Sequence, residues 1–191
     1  MNPAISITSV RSLLECYIRA KDRNQPELIF ACFAADAALT FDIATDAIDF
    51  PRSVSGASAI AKTLVSDFGE RFDRCRTYYM CAAPEVNADG VCTMPWFVVM
   101  RQKDNEALRL GKGTYRWRIA RMDDGSDRIA GLHIAIERMD GFEDPGADKL
   151  RALQALLPYP WLQRSDIHRS MEPLLTMNPD TAFATALTHF V

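Results

Sequence analysis

Across residues 91–139 large apolar side chains recur at every second position in three successive stretches, a spacing that only extended strands can use to build one continuous face. The first set is Cys92, Met94, Trp96, Val98 and Met100; the second is Gly113, Tyr115, Trp117 and Ile119; the third is Leu132, Ile134 and Ile136. Lys112, Thr114, Arg116 and Arg118 alternate with the second set and are expected on the opposite face. The pattern predicts strands over 91–102, 107–121 and 127–139, with hairpin loops at 103–106 and 122–126. Gly111 and Gly113 on the inward face of a long strand mark a sharp bend or a close approach by another group, and Pro95 predicts a bulge. Such strands make a curved wall, apolar with a few polar tips, around a small-molecule pocket.

The rest of the chain supplies the helices that close this wall. Ser9 or Ser6 caps a first helix whose stripe is Val10, Leu13, Leu14, Tyr17 and Ile18, with Arg11, Glu15, Arg19 and Lys21 on the wet side. Pro26 opens a second helix that buries Leu28, Ile29, Cys32 and Phe33. A short strand over 38–43 and a return strand over 48–53 lead into a third helix over 57–71, which turns Ile60, Leu64, Phe68 and Phe72 inward. A further strand over 75–83 stops at Pro84. The class is α+β. After residue 140 the character changes to a helix over 149–157, the run Tyr159-Pro160-Trp161, and a last helical stretch to Val191. Because about 50 residues rarely bury a core alone, 141–191 is expected to be an extension of a domain formed by 1–140, lidding its mouth or clasping a partner.

Composition excludes several functions. A net charge of -3, with acidic and basic residues interspersed, gives no electrostatic footprint for nucleic acid. No apolar run approaches the roughly 18 residues of a membrane span, and residues 1–11 lack the layout of a signal peptide. Five cysteines, odd in number and without a C-x-x-C pair, read as reduced thiols of a cytoplasmic protein. His133, His168 and His189 show no i, i+4 pairing, Gly111-Lys112-Gly113-Thr114 lies inside a strand instead of opening a helix, and no metal or cofactor is expected.

The order of elements resembles the nuclear transport factor two-like superfamily, which includes ketosteroid isomerase and the SnoaL-like polyketide cyclases. The segments that carry the likeness are Leu14-Glu15-Cys16-Tyr17-Ile18, the run Ala37-Ala38-Leu39-Thr40-Phe41-Asp42, and Met94-Pro95-Trp96 with Val98 and Met100. The long form through Leu157-Pro158-Tyr159-Pro160-Trp161 resembles a bacterial branch of that superfamily. The resemblance implies a cone-shaped α+β barrel: a strongly curved, antiparallel-rich sheet with three N-terminal helices packed on its inner face. It also implies roles. Tyr17 falls at the isomerase's oxyanion donor and Asp42 at its general base; Tyr115 stands where the isomerase keeps a protonated aspartic acid.

On this reading the catalytic candidates are Asp42, Tyr17 and Tyr115, and the substrate-binding candidates are Phe33, Phe68, Met94, Trp96, Val98, Trp117, Leu132 and Ile134. From the residues alone an aromatic on an apolar helical stripe, as Tyr17 is, is more often plain core, and Asp42 is equally an outward-facing carboxylate at a strand end. Phe97 and Val99 alternate with the pocket set and are expected to be exposed beside Arg116, Arg118 and His133, a patch suited to a homodimer through the outer sheet face. Two functions follow. In one, Asp42 removes a proton next to the carbonyl of a hydrophobic cyclic substrate, as an isomerase, cyclase or dehydratase does. In the other, the same cone binds a hydrophobic ligand, or dimerises, without chemistry.

Overall fold

A computed structural model describes residues 5–177 and 181–189. The helix α1 (Ile7–Asp22) forms on its apolar stripe and ends with Arg19 and Lys21 in the last turn, where positive charge suits the helix dipole. A single 3₁₀ turn at Pro26–Leu28 leads into the short α2 (Ile29–Cys32) and then directly into β1 (Phe33–Ile43). Next come β2 (Ser53–Ser55), α3 (Ala57–Ala61), a π-turn at Lys62–Ser66, α4 (Asp67–Arg71) and β3 (Phe72–Tyr79). The long strands are β4 (Val91–Gln102), β5 (Leu108–Arg121) and β6 (Asp127–Phe142). Helices α5 (Asp148–Leu156), α6 (Arg164–Met177) and α7 (Thr181–His189) complete the fold, and the last two residues of the expected run to Val191 lie outside the described residues.

All six strands belong to one curved sheet in the order β2-β1-β6-β5-β4-β3. Only β1 and β6 run parallel; the other neighbours are antiparallel. The sheet stays open, with β2 and β3 at its edges. Its curvature is concentrated at register shifts, one of them between Lys112 and Gly113 on β5. Glycine is required there: a Cβ on Gly113 would sit 1.9 Å from the Ala135 carbonyl oxygen and 2.9 Å from the Trp96 ring. The β4–β5 register runs unbroken through Pro95, so the expected bulge does not occur. The Pro95 carbonyl accepts from Met80 N, just past the end of β3, so the side of β4 on which its missing N–H would be wanted has no strand partner there.

The inner face of the sheet packs on α1 through α4 in one large core, with Leu14, Tyr17, Leu64 and Phe68 meeting Trp96, Tyr115, Trp117 and Ile134. A second core lies on the outer face. There α5, α6 and α7 bring Leu150, Leu153, Ile167, Phe183 and Leu187 onto Tyr78, Phe97, Val99, Leu108 and Leu110. Phe97 and Val99 are therefore buried, at 1% and 0% exposure, and the apolar patch expected to meet a second copy is covered by the chain's own extension. The burial pattern of β4 shows the boundary: it alternates from Val91 to Pro95, then every residue from Trp96 to Met100 is buried because both faces are covered.

Several boundaries differ from the sequence reading: β1 begins at Phe33, which leaves the second helix, β6 runs on to Phe142, and the third helix is interrupted by the π-turn. The return strand pairs at Ser53–Ser55, not over 48–53, because Ile48 and Phe50 turn inward, Phe50 stacking on Phe41 at 4.6 Å. β3 begins at Phe72 and ends at Tyr79, whose N–H and carbonyl are taken by Pro160 and Leu162 of the extension. No helix among the described residues is long and apolar enough to cross a membrane.

Candidate functional site

The cone encloses a cavity walled by Trp96, Val98 and Met100 of β4, Tyr115 of β5, Ile134, Ile136 and Met139 of β6, and Phe41 of β1. Tyr17 and Lys21 reach it from α1, Leu64 and Phe68 from the π-turn and α4, and Ile48 and Phe50 from the loop after β1. It measures about 40 Å³, room for about three water-sized molecules. Of the residues expected to bind substrate, Phe68, Trp96, Val98 and Ile134 line it, together with Tyr17 and Tyr115. Phe33, Met94, Trp117 and Leu132 are buried but do not reach the wall. Register explains part of this: Cys92, Trp117 and Leu132 form one row across β4, β5 and β6, one step away from the cavity, where the core is filled.

Asp42 does not reach the cavity. The period-two alternation of β1 turns Leu39 and Phe41 inward and Thr40 and Asp42 outward, leaving the Asp42 side chain 83% exposed. Its carboxylate lies 3.4 Å from His133 Nε2 on the neighbouring β6, and His133 Nδ1 lies 2.8 Å from the Thr40 hydroxyl. The residue cast as the general base is thus part of an exposed cluster on the other side of the sheet.

What stands at the cavity instead is a buried cation. Lys21 lies one turn beyond Tyr17, so the inner stripe of α1 continues Val10, Leu14, Tyr17, Lys21, and its side chain is only 9% exposed, not on the wet side. Its ammonium donates to Thr77 Oγ1 at 2.8 Å, Cys75 Sγ at 3.3 Å and Asp22 Oδ1 at 3.3 Å, and sits 4.4 Å above the centre of the Phe68 ring. Burial works against this charge, but the Cys75 thiol and the Asp22 carboxylate more than offset it and hold Lys21 above the ordinary lysine range. Asp22 is itself buried. It accepts from Thr77 N at 2.6 Å, Thr77 Oγ1 at 2.9 Å and the Tyr159 hydroxyl at 3.0 Å. Sequence reasoning missed Asp22, Cys75 and Thr77, which come from segments some fifty residues apart.

Around the cation is an aromatic cluster. Tyr115 stacks with Trp96 at 5.5 Å, and Tyr17 meets Tyr115 and Trp117 edge-on at 6.1 and 5.0 Å. Burial pushes the Tyr17 and Tyr115 phenols well above the usual tyrosine range, so both stay protonated. The two hydroxyls influence each other, yet Tyr17 Oη closes no hydrogen bond, and neither does Trp96 Nε1.

The family model for the SnoaL-like domain matches residues 4–132, about two-thirds of the chain. The chain belongs to the SnoaL-like domain family. No curated protein matches it. A nuclear transport factor 2-like superfamily protein from Salmonella enterica serovar Typhimurium superposes with a TM-score of 0.57 at 18% identity, covering 75% of this chain and 95% of that one. The hexachlorocyclohexane dehydrochlorinase LinA-type3 from Novosphingobium barchaimii gives 0.57 at 13% identity, covering 71% and 88%. A putative scytalone dehydratase from Novosphingobium aromaticivorans gives 0.52 at 14% identity, covering 72% and 88%. At these identities the likeness shows the fold. The SnoaL-like match ends within β6, so α5, α6 and α7, which cover the outer face, lie beyond it.

Proposed function

We propose that the cone cavity binds a hydrophobic small molecule and holds it without removing a proton. The observation that carries this is the make-up of the wall: among the described residues it contains no carboxylate and no imidazole. The phenols are held protonated and Lys21 is held as an ammonium with its protons engaged, so no group there is poised as a base near neutral pH. Relatives of the same fold are named as a dehydratase and a dehydrochlorinase, but the reading in which Asp42 abstracts a proton next to a carbonyl loses its base once Asp42 faces solvent. The cone is the right kind of place for a ligand, concave and mostly apolar with a few convergent polar groups.

A ring compound needs more than 40 Å³, and the part of the wall made by irregular chain is the 44–52 loop. Ile48 and Phe50 leave the cavity if that loop swings, and the ligand enters beneath them. A homodimer through the outer face would use the polar strip of Thr40, Asp42, Arg116 and His133, since Phe97 and Val99 are covered. The five free thiols accord with a reducing, cytoplasmic setting.

The test is saturable binding of N-phenyl-1-naphthylamine, a neutral apolar fluorophore, to the wild-type protein and to Ile134→Trp, which fills the cavity. Binding that saturates and is lost in Ile134→Trp is expected. No saturable binding, or binding indifferent to the filled cavity, overturns the reading. Asp42→Asn is expected to bind as wild type does.

A further inference from the structure

The polar side-chain atoms of the residues that line the cavity are one-sided. Trp96 Nε1 can only donate, Lys21 can only donate, and Tyr17 Oη is buried with a proton and no acceptor. Tyr115 adds a second phenol, and if one hydroxyl donates to the other, one proton of the pair is still without an acceptor. A buried donor with no acceptor costs stability, so two of them on residues that line one space, beside a buried cation, call for an oxygen that the protein does not itself provide. Trp117 Nε1 and Tyr78 Oη are also without partners, but neither lines the cavity.

Building on the binding reading above, we propose that the ligand carries an anionic oxygen, a carboxylate or phenolate on a small ring compound, received by Tyr17, Trp96 and Lys21. The stacked Trp96 and Tyr115 and the ring of Phe68 supply flat apolar surface for the ring of the ligand. All three Lys21 protons are engaged, but one of them can be redirected to a ligand. Two of its three partners are oxygens, but the third is the Cys75 thiol at 3.3 Å, a weak acceptor that an anionic oxygen displaces. The Asp22 charge does not compete for the ligand, because Thr77 and Tyr159 also donate to it. Every group invoked is buried in the cone, so the attraction is screened far less by salt than at a surface.

The experiment is calorimetric titration with benzoate and with benzamide, its neutral counterpart of nearly equal size, against wild type, Tyr17→Phe, Trp96→Phe and Lys21→Met. Benzoate is expected to bind wild type at least about tenfold more tightly than benzamide. Lys21→Met should erase that preference, and Tyr17→Phe and Trp96→Phe should each weaken benzoate by about tenfold. Tyr17→Phe removes an unsatisfied hydroxyl, so its melting temperature should not fall, which separates a ligand-binding hydroxyl from a structural one and leaves a usable variant if Lys21→Met does not fold. Equal affinity for benzoate and benzamide overturns this inference while the binding reading stands. So does binding of the neutral fluorophore without binding of benzoate. Failure of every probe overturns both.

Discussion

The Tyr159 hydroxyl donates to Asp22 Oδ2 at 3.0 Å, so a residue of the C-terminal extension completes the carboxylate that sits beside Lys21 at the cavity. Asp22 and Lys21 are neighbours in sequence but not equivalent in dependence. Lys21 has one ionised partner, whereas Asp22 keeps Thr77 and Tyr159 if the lysine is removed.

Asp22→Ala should therefore be the more damaging change. It leaves a buried ammonium without its counter-charge, a loss of about 3–5 kcal/mol. Lys21→Met should cost less, because a side chain of similar length fills the space and Asp22 retains three hydrogen bonds. Urea unfolding with linear extrapolation gives both values, and the reverse order would mean that Asp22 is not what holds Lys21.

The extension is expected to be an integral part of the fold. Leu153 on α5 is fully buried in the outer core, and Leu153→Ala should destabilise the whole protein by about 2–5 kcal/mol in a single transition. Truncation after Asp140 should expose Tyr78, Phe97, Val99, Leu108 and Leu110 and give aggregated protein. A truncated chain that stays monomeric with an unchanged melting temperature would show that the outer core contributes nothing.

Gly113→Ala should be among the most harmful single-atom additions. The new methyl meets the Ala135 backbone, which cannot step aside without breaking the β5–β6 ladder, so the loss should reach or exceed the roughly 1–3 kcal/mol of ordinary overpacking. Gly125→Ala in the β5–β6 hairpin meets no atom within 4 Å, and its cost should come only from the positive φ of 79°. Comparing the two melting temperatures isolates the close approach.

Stability should fall at both ends of the pH range. Hydrogen bonds from Arg101 hold the Asp73 carboxyl below its usual range; at Asp127 burial pushes upward, but hydrogen bonds from Arg121 and Ser9 and the Arg121 charge together outweigh it and the net shift is also down. A lowered carboxyl contributes stability that is complete above its unfolded value of about 4 and is lost as pH falls through the folded value. In the other direction, burial, with the Asp22 carboxylate beside it, pushes the Cys75 thiol up to about 12, and burial pushes the Cys81 and Cys92 thiols up to about 11. Those groups stabilise fully below the unfolded thiol value of about 8.5 and lose that contribution as pH rises beyond it. Urea midpoints measured from pH 3 to 11 should show both slopes. Asp73→Asn with Asp127→Asn should flatten the acid limb alone.

Much of the fold was legible because the inward faces of β4, β5 and β6 keep strict period two, and the glycines of β5 announced the bend. The fate of Phe97 and Val99 was half legible. Their alternation placed them on the outer face, but nothing in the spacing of 141–191 says onto which surface its apolar stripes will fold. Lys21 was within reach, since the stripe Val10, Leu14, Tyr17 continues to it; a lysine is simply easy to discount on an apolar stripe. Its partners Cys75 and Thr77 were not, because they meet it only through the tertiary fold. Asp42 shows the opposite error. Its own alternation with Phe41 pointed outward, and the resemblance to an isomerase drew it inward.

The open ends of the sheet carry a last consequence. An unpaired strand edge is a template on which another chain can add a strand and begin to aggregate. Here β2 offers only three residues, Ser53, Val54 and Ser55, too short to hold an incoming strand. On β3 several backbone groups are already occupied: Gln154 donates to the Arg74 carbonyl, Thr77 N–H donates to Asp22, and Tyr79 forms a parallel bridge with Trp161. The segment that seals the outer face also blocks part of this edge, so a sheet that never closes into a barrel offers little continuous edge to join.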